Sequence, residues 1–344
     1  MLKVYSIMHT EKWDAIVRSF RNYDVYWLSG YVKAFQIHGD GEPLLFYYED
    51  TTTRGINVVM KRDVAEDIHF SGLIPEGKYF DFATPYGYGG WLIEGVKTET
   101  LFKSYEEWMK KNSIISEFVR FHPMLNNHEA CSSFYDVVQL GEVVHMELVS
   151  KEGIWDNLTS KNRNMIRKAI KNGIVIKNGS NPSIYASFSE IYNKTMDRNE
   201  AERCYYFEKE FYDSLLNDLS ENAQVFWAEK DGQIIAASIM LTANGRMNYH
   251  LSGSLSEFNS FAPTNLLLYK AALWGNENGY SVLYLGGGVN SKEDGLLKFK
   301  KSFFKGELKH FFVGKKIISS EDYNKLIDMR EINGDGFFPL YRTK

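Results

Sequence analysis

The chain has 344 residues, 44% hydrophobic, 24% charged and 15% aromatic, with a formal net charge of −4. This is the composition of a soluble globular protein of two or three domains; no run of about 18 apolar residues suggests a membrane span, and the acidic balance argues against a dedicated nucleic-acid coat. Cys131 and Cys204 make neither a disulfide framework nor a cysteine metal site, and the start MLKVYSIMHTEKWD lacks a signal peptide's apolar stretch, so a cytoplasmic protein is expected.

Residues 12–20 read as a short helix, and Pro43 to Lys61 as two strands around a polar turn at Glu49–Gly55. The stretch FDFATPYGYGG at 80–90 begins as a half-buried strand and changes character at Pro85. Pro85 removes a donor, and Gly87, Gly89 and Gly90 permit backbone angles closed to other residues, so a tight loop is expected beyond Thr84. On its own this loop reads either as a surface turn with two packed tyrosines or as a ligand-binding loop. Residues 98–112 place Leu101, Tyr105 and Trp108 on one helical face. A strand stopped by Pro123 follows, and VVHMELV at 143–149 is another.

A second unit opens near residue 150. Thr159 or Ser160 can cap a helix that runs to Asn172 and stops at Gly173, with Met165, Ile166, Ala169 and Ile170 as its buried stripe. Lys161, Arg163, Arg167, Lys168 and Lys171 spread over the rest of it. A strand, two helices and three strand-like runs follow, with hairpin turn signals at Asp231-Gly232 and Asn244-Gly245. An apolar helix ends at Gly279, SVLYLGG is a strand, and LLKFKKSFF and LKHFFVGKKI close the unit. Residues 1–145 carry 14 Lys and Arg against 20 Asp and Glu, whereas 146–344 carry 26 against 24. Within 292–316 eight lysines face three acids, a stretch that could meet phosphates or form a solvated face. The fold class is therefore α/β in the mixed α+β sense: two similar domains joined near 146–150, each a mixed, mostly antiparallel sheet flanked by helices.

Several stretches occur together in order: TPYGYGG at 84–90, SKNRNMIRKAIKNGIVI at 160–176, KTMDRN at 194–199, NYHLSGS at 248–254, NLLLYKAALWGNENGYSVLYLGGG at 265–288 and LLKFKKSFF at 296–304. Together they resemble the FemABX peptidyltransferase family and its FemAB-like, GNAT-related acyltransferases, from about residue 20 to 317. The resemblance implies two tandem GNAT-like domains at 1–147 and 148–317, with 318–344 returning to complete the first. It implies amide formation on an amine of a cell-envelope precursor, in peptidoglycan or surface-sugar biosynthesis. The acceptor would be nucleotide-linked or lipid-linked, and the donor aminoacyl-tRNA or acyl-CoA, with no tightly bound cofactor, no metal and no integral membrane segment. The family's long helical hairpin has no room in this sequence.

The same resemblance nominates residues. Amide formation passes through a tetrahedral oxyanion, which needs a cation or donor where charge develops. Phe299-Lys300 matches the Phe-Lys pair that serves this purpose in the family. Read as a strand, 296–304 would put Lys298 and Lys300 on one face, and an edge strand guarded by lysines is the plainer alternative. Arg198 matches an arginine that grips a phosphate-bearing acceptor, unless Asp197 or Glu200 simply neutralises it. Tyr205 and Tyr206 could flank that pocket or belong to the core. His250 sits on a central strand and could take the amine's proton, with Glu293 and Asp294 as weaker candidates. Tyr86, Tyr88, Gly89 and Gly90 match a loop beside the acceptor cleft.

One departure bears on the donor. The segment SLSEFNSFAPTN, where GNAT acetyltransferases build a glycine-rich pyrophosphate cradle, has no glycine after Gly253, and Thr264 or Asn265 could cap the helix that follows. This favours aminoacyl-tRNA. The alternatives are an acyl-CoA-dependent N-acetyltransferase and a non-catalytic module that binds a sugar nucleotide or a partner.

Overall fold

The computed structural model describes residues 1–330, 332 and 337–343. The chain begins with β1 Leu2–Ser6, α1 Thr10–Arg18, α2 Ser29–His38, β2 Glu42–Glu49, β3 Arg54–Asp63, β4 Phe80–Ala83, β5 Leu92–Glu94, α3 Glu99–Lys111 and β6 Ile114–Arg120. There follow β7 Asp136–Glu147, α4 Lys151–Asn157, α5 Ser160–Lys171, β8 Val175–Gly179, α6 Pro182–Arg198, α7 Lys209–Asp218, β9 Ala223–Lys230, β10 Gln233–Ala243 and β11 Arg246–Ser254. The last elements are α8 Pro263–Glu277, β12 Val282–Gly286, α9 Gly295–Lys301, β13 Lys309–Ile317 and α10 Ser320–Asp328. By their contacts these form two units: Met1–Leu140 with Phe311–Lys344, and Gly141–His310. Each is a mixed, mostly antiparallel sheet flanked by helices. Among the described residues no helix is long and apolar enough to cross a membrane.

The sheet of the first unit runs β1-β2-β3-β4-β6-β13, with β5 also on β3. β4 and β6 pair in parallel, joined through α3, as a parallel pair requires, and the isolated Gly89–Phe121 bridge extends that direction. Phe46, Phe82, Trp91, Tyr105 and Phe121 fill the core beneath α3. A second cluster joins Phe70 and Ile115 to Tyr323 and Leu326 of α10 and to Tyr341. Of the stretch 318–344, residues 331, 333–336 and 344 lie outside the described residues. Residues 309–317 differ from expectation: β13 pairs with β6 from Val313 to Ile317 instead of closing the second unit as a hairpin. A strand completes its backbone hydrogen bonds wherever an edge is open, and sequence does not say which edge that is.

The sheet of the second unit runs β7-β12-β11-β10-β9-β8. Residues 144–147 of β7, expected in the first domain, pair with β12 here. Asp231-Gly232 and Asn244-Gly245 all take positive φ, as hairpin turns of this kind demand. The core is built from Ile166 and Ala169 of α5, Leu266 to Leu268 and Ala271 of α8, and Met240, Met247, Leu283 and Leu285 of the sheet. On α5, Ile170 is 54% exposed, while Asn162 takes the inward position. Asn162 donates to the Ser302 carbonyl (3.2 Å) and accepts from Asn265 (2.8 Å), so a polar residue on the inward face has bonds to make.

Two local features set up the site. The parallel pairing of β11 with β12 covers only Arg246 to Asn248 against Val282 to Tyr284. Beyond it β11 continues to Ser254 beside β10 alone. The β10–β11 register also slips: Ile239 faces Leu251 and Met240 faces Tyr249, which makes His250 the extra residue of a bulge.

Candidate active site

Lys300 reaches the place where β11 and β12 part company, and it does so from a helix. Residues 295–301 are α9, not a strand, because Asp294 caps it: its Oδ1 accepts from the Leu297 N–H at 2.8 Å. Helical spacing turns Leu297 and Lys300 inward together and leaves Lys298 exposed. The expected pairing of Lys298 with Lys300 therefore does not occur. The other Asp294 oxygen accepts from Val289 N–H at 2.8 Å, which ties the glycine run 286–288 to the helix. Gly286 has φ +81°, and a Cβ on Gly288 would lie 2.2 Å from the Lys292 carbonyl oxygen, so both positions require glycine.

The Lys300 side chain is buried, and its Nζ donates to the Gly287 carbonyl at 2.7 Å and lies 5.9 Å from the centre of the Tyr249 ring. Burial pulls its pKa down to about 8, against the opposing pull of the Asp294 charge. At neutral pH the group is still mainly an ammonium, with donors left over once Gly287 is satisfied. Neighbouring Lys301 has a different task, bridging Glu142 (2.6 Å) and Glu293 (3.2 Å). Phe299 points elsewhere, packing half-buried against the core with its ring edge-on to Phe303 at 5.3 Å.

The candidate bases fare less well. His250 is the bulge residue, and burial pushes its pKa down to about 3. A neutral imidazole of that pKa is a poor match for a proton taken near pH 7. Burial alone would raise Asp294, but the backbone N–H groups of Leu297 and Val289 outweigh it and hold its carboxyl below the usual range. That carboxylate is a helix cap. Glu293 is an exposed partner of Lys301. The site offers a cation and hydroxyls instead of a base poised near neutrality.

At the far end of β11, Arg198 closes α6. Its Nη1 donates to the Ser254 carbonyl at 2.9 Å, while Thr195 Oγ1 accepts from Ser254 N–H at 2.9 Å. Among the described residues Arg198 has no ion pair: Asp197 instead accepts from the Tyr206 hydroxyl at 2.9 Å. The guanidinium is thus exposed with donors to spare, next to the Asp197 that holds half-buried Tyr206, and Tyr205 is half-buried as well. The second unit thus places Lys300 and Arg198 at successive points along one strand.

The loop 84–90 belongs to the first unit and is braced from many sides. Gly89 N–H donates to the Arg120 carbonyl (2.8 Å), and Asn127 and Trp27 donate to the Gly89 and Gly90 carbonyls at 2.9 and 3.1 Å. Gly89 and Gly90 are buried, and these backbone groups hold the loop's shape instead of facing an open cleft. Gly87 has φ +100°, and its carbonyl accepts from Arg120 Nε at 2.8 Å. Tyr86 stacks on Phe35 at 5.6 Å and accepts from the Tyr31 hydroxyl through its carbonyl. Tyr88 meets Tyr26, His122 and Phe311 edge-on. Tyr86, Gly87 and Tyr88 are the half-exposed part of the loop.

Sequence reasoning missed the group of three hydroxyls that includes Tyr249, whose ring lies by Lys300. Ser238 donates to Ser252 at 2.8 Å, and both bond the Tyr249 hydroxyl. The strand pattern of NYHLSGS could not reveal them, because the bulge changes which residues share a face. The start of α8 also differs from expectation. Its N-cap is Ala262, at φ +58° and with no side-chain cap, and the Asn265 amide goes to Asn162.

Residues 160–301 match the family model described as Acetyltransferase (GNAT) domain. The chain is similar to the solved structure of FemX at 14% identity and a TM-score of 0.67, over 95% of this chain and 100% of that one. It is similar to L-PGS from Bacillus licheniformis at 15% identity and a TM-score of 0.59, over 93% and 96%. A tandem GNAT protein from the clavulanic acid biosynthesis pathway matches at 8% identity and a TM-score of 0.50, over 94% and 100%. No curated protein matches the sequence. The chain therefore has the fold of FemX, and most of its second unit matches the model of the GNAT acetyltransferase domain.

Proposed function

We propose that the protein is a cytoplasmic aminoacyltransferase that forms an amide on an amine of a nucleotide-linked or lipid-linked cell-envelope precursor, with aminoacyl-tRNA as donor. The observation that carries this reading is the buried Lys300 ammonium, anchored on Gly287 where the pairing of β11 and β12 ends. The acceptor amine attacks the ester carbonyl carbon, and the oxyanion that develops meets the Lys300 donors. Collapse breaks the ester C–O bond, and the tRNA hydroxyl leaves with the proton that the amine gives up. Arg198, free of any acidic partner among the described residues, suits a phosphate on the acceptor. The likeness to FemX over 95% of this chain and all of that one supports this version of the chemistry.

A second reading, acyl-CoA as donor, is favoured by the start of α8. α8 opens on Pro263, which has no N–H, and the N–H groups of its first turn have no side-chain cap, which suits a pyrophosphate even without glycines. Binding of tRNA and of acetyl-CoA, titrated at two salt concentrations and followed by mass spectrometry of a precursor pool, separates the two. We expect salt-sensitive tRNA binding and aminoacylated precursor. Tight acetyl-CoA binding with acetylated precursor would reverse the ranking. Precursor binding without transfer from either donor would make the protein a binding module. Lys300→Ala is expected to lower turnover on the order of 100-fold, with acceptor binding little changed.

A further inference from the structure

A lysine ammonium sits at the end of four rotatable bonds, so a site that relies on one needs more than a single contact to aim it. Lys300 has its Gly287 bond on one side, and on the other the ring of Tyr249 at 5.9 Å. Tyr249 is in turn held at both ends: its ring packs against the core of the second unit, and its hydroxyl bonds Ser252 and Ser238. Ser238 is fully buried and bonds Ser252 at 2.8 Å.

The strand geometry makes this arrangement unusual. Residues 249 and 252 differ by three, so on a regular strand their side chains would point to opposite faces. The bulge at His250 shifts the alternation by one and brings Tyr249 and Ser252 to the same side, opposite Ser238, which pairs directly with Ser252. His250 thereby acts as the spacer that assembles the group.

We propose that Tyr249 is the positioning residue for Lys300: its ring face holds the ammonium where β11 and β12 part, and the Ser238–Ser252 hydroxyl pair locks the ring. The proposal rests on Lys300 as the group that meets the oxyanion. Tyr249 touches no reacting atom itself. It acts by keeping the ammonium aimed and charged, because a cation over a ring face is favoured over a neutral amine. The charged group that bears on Lys300 besides the ring is Asp294, from the start of α9.

The test has one arm that needs no substrate. The intact protein is labelled with acetic anhydride across a pH series, and acylation of the peptide containing Lys300 is read by mass spectrometry. Tyr249→Leu is expected to move the onset of Lys300 labelling down by about half a pH unit, through loss of the ring contact. Tyr249→Phe keeps the ring and should label as the wild type does. In the kinetic arm, Tyr249→Leu should lower kcat roughly 10-fold at unchanged KM, with Tyr249→Phe and Ser252→Ala in between. A folded Tyr249→Leu with wild-type labelling and turnover overturns the proposal. Should Tyr249→Leu not fold, unchanged kcat in both Ser252→Ala and Tyr249→Phe overturns it equally. A shifted labelling curve in Tyr249→Leu, alongside full turnover in Lys300→Ala, would leave the positioning intact and remove Lys300 from the mechanism.

Discussion

Glu117 is sealed inside the first unit, where it accepts hydrogen bonds from Tyr135 (2.8 Å), Tyr105 (3.0 Å) and Asn57 (3.1 Å). Burial outweighs these three bonds and pushes its pKa up to about 7 from the ordinary 4.5. The folded state therefore keeps a proton that the unfolded chain has already lost above pH 4.5. Stability from this group is full below pH 4.5 and is lost as pH rises through about 7, by on the order of 3 kcal/mol. Thermal melts from pH 5 to 8 should show this decline in the wild type and a flatter profile in Glu117→Gln. Nothing in IISEFVR distinguishes such a residue from an ordinary solvent-facing strand glutamate. The lysines of LLKFKKSFF teach the same lesson, since Lys298 is exposed, Lys301 is ion-paired and Lys300 is buried. Residue type and resemblance pointed at Lys300, but its neighbours come from residues 13 to 51 positions away and follow from no local pattern.

At the scale of elements, α9 is short enough to depend on its cap. Asp294→Ala removes the bond to Leu297 and also the bond to Val289 that steadies the glycine run. We expect a loss of about 1–2 kcal/mol and a fall in turnover, while Asp294→Asn, whose single amide oxygen can still cap Leu297 but whose NH2 cannot accept from Val289, restores the cap and part of the turnover. Calorimetry and steady-state kinetics on the two variants check this. A pH-dependent general base at this position would instead leave Asp294→Asn inactive but stable. The helix was misread because LLKFKKSFF alternates apolar and charged residues as a strand does, whereas its N-cap lies two positions upstream of that stretch. By contrast α5, α6 and the β9–β11 meander were legible, for each carries its own punctuation: a Thr or Asn cap, a proline near the first turn, Asp-Gly and Asn-Gly turns. The bulge at His250 was not, since only the register of two strands against each other defines it.

Over the whole molecule, the C-terminal residues are bound into the first unit by charge as well as packing. Asp81, fully buried, accepts from Arg342 Nε (2.6 Å), Arg62 Nε (2.7 Å) and the Tyr341 hydroxyl (2.9 Å). Burial would raise its pKa, but the two guanidinium charges outweigh it and hold the carboxyl below its ordinary value. Its contribution to stability is therefore present above the unfolded pKa near 3.8 and fades as pH falls through the lower folded value. Arg342→Ala leaves Asp81 with Arg62 and Tyr341, so we expect a loss of about 2 kcal/mol and a melting temperature lower by roughly 4–8 °C at pH 7. The wild type should lose this advantage over Asp81→Asn only as pH falls through the lowered folded-state pKa, which thermal melts at acid pH check. Legible without the folded structure were the class of fold, helices α1, α3, α5, α6, α7 and α8, the β2–β3 pair and the β9–β11 meander, and the stretches that resemble the FemABX family, because caps, turns and apolar periods act within a few residues of one another. Only the folded structure decides that β13 lies on β6 and that Tyr249, Ser252 and Ser238 share a face. Those outcomes depend on which open strand edge is nearest and on where a register slips, and both are properties of segments that meet only when the chain has folded.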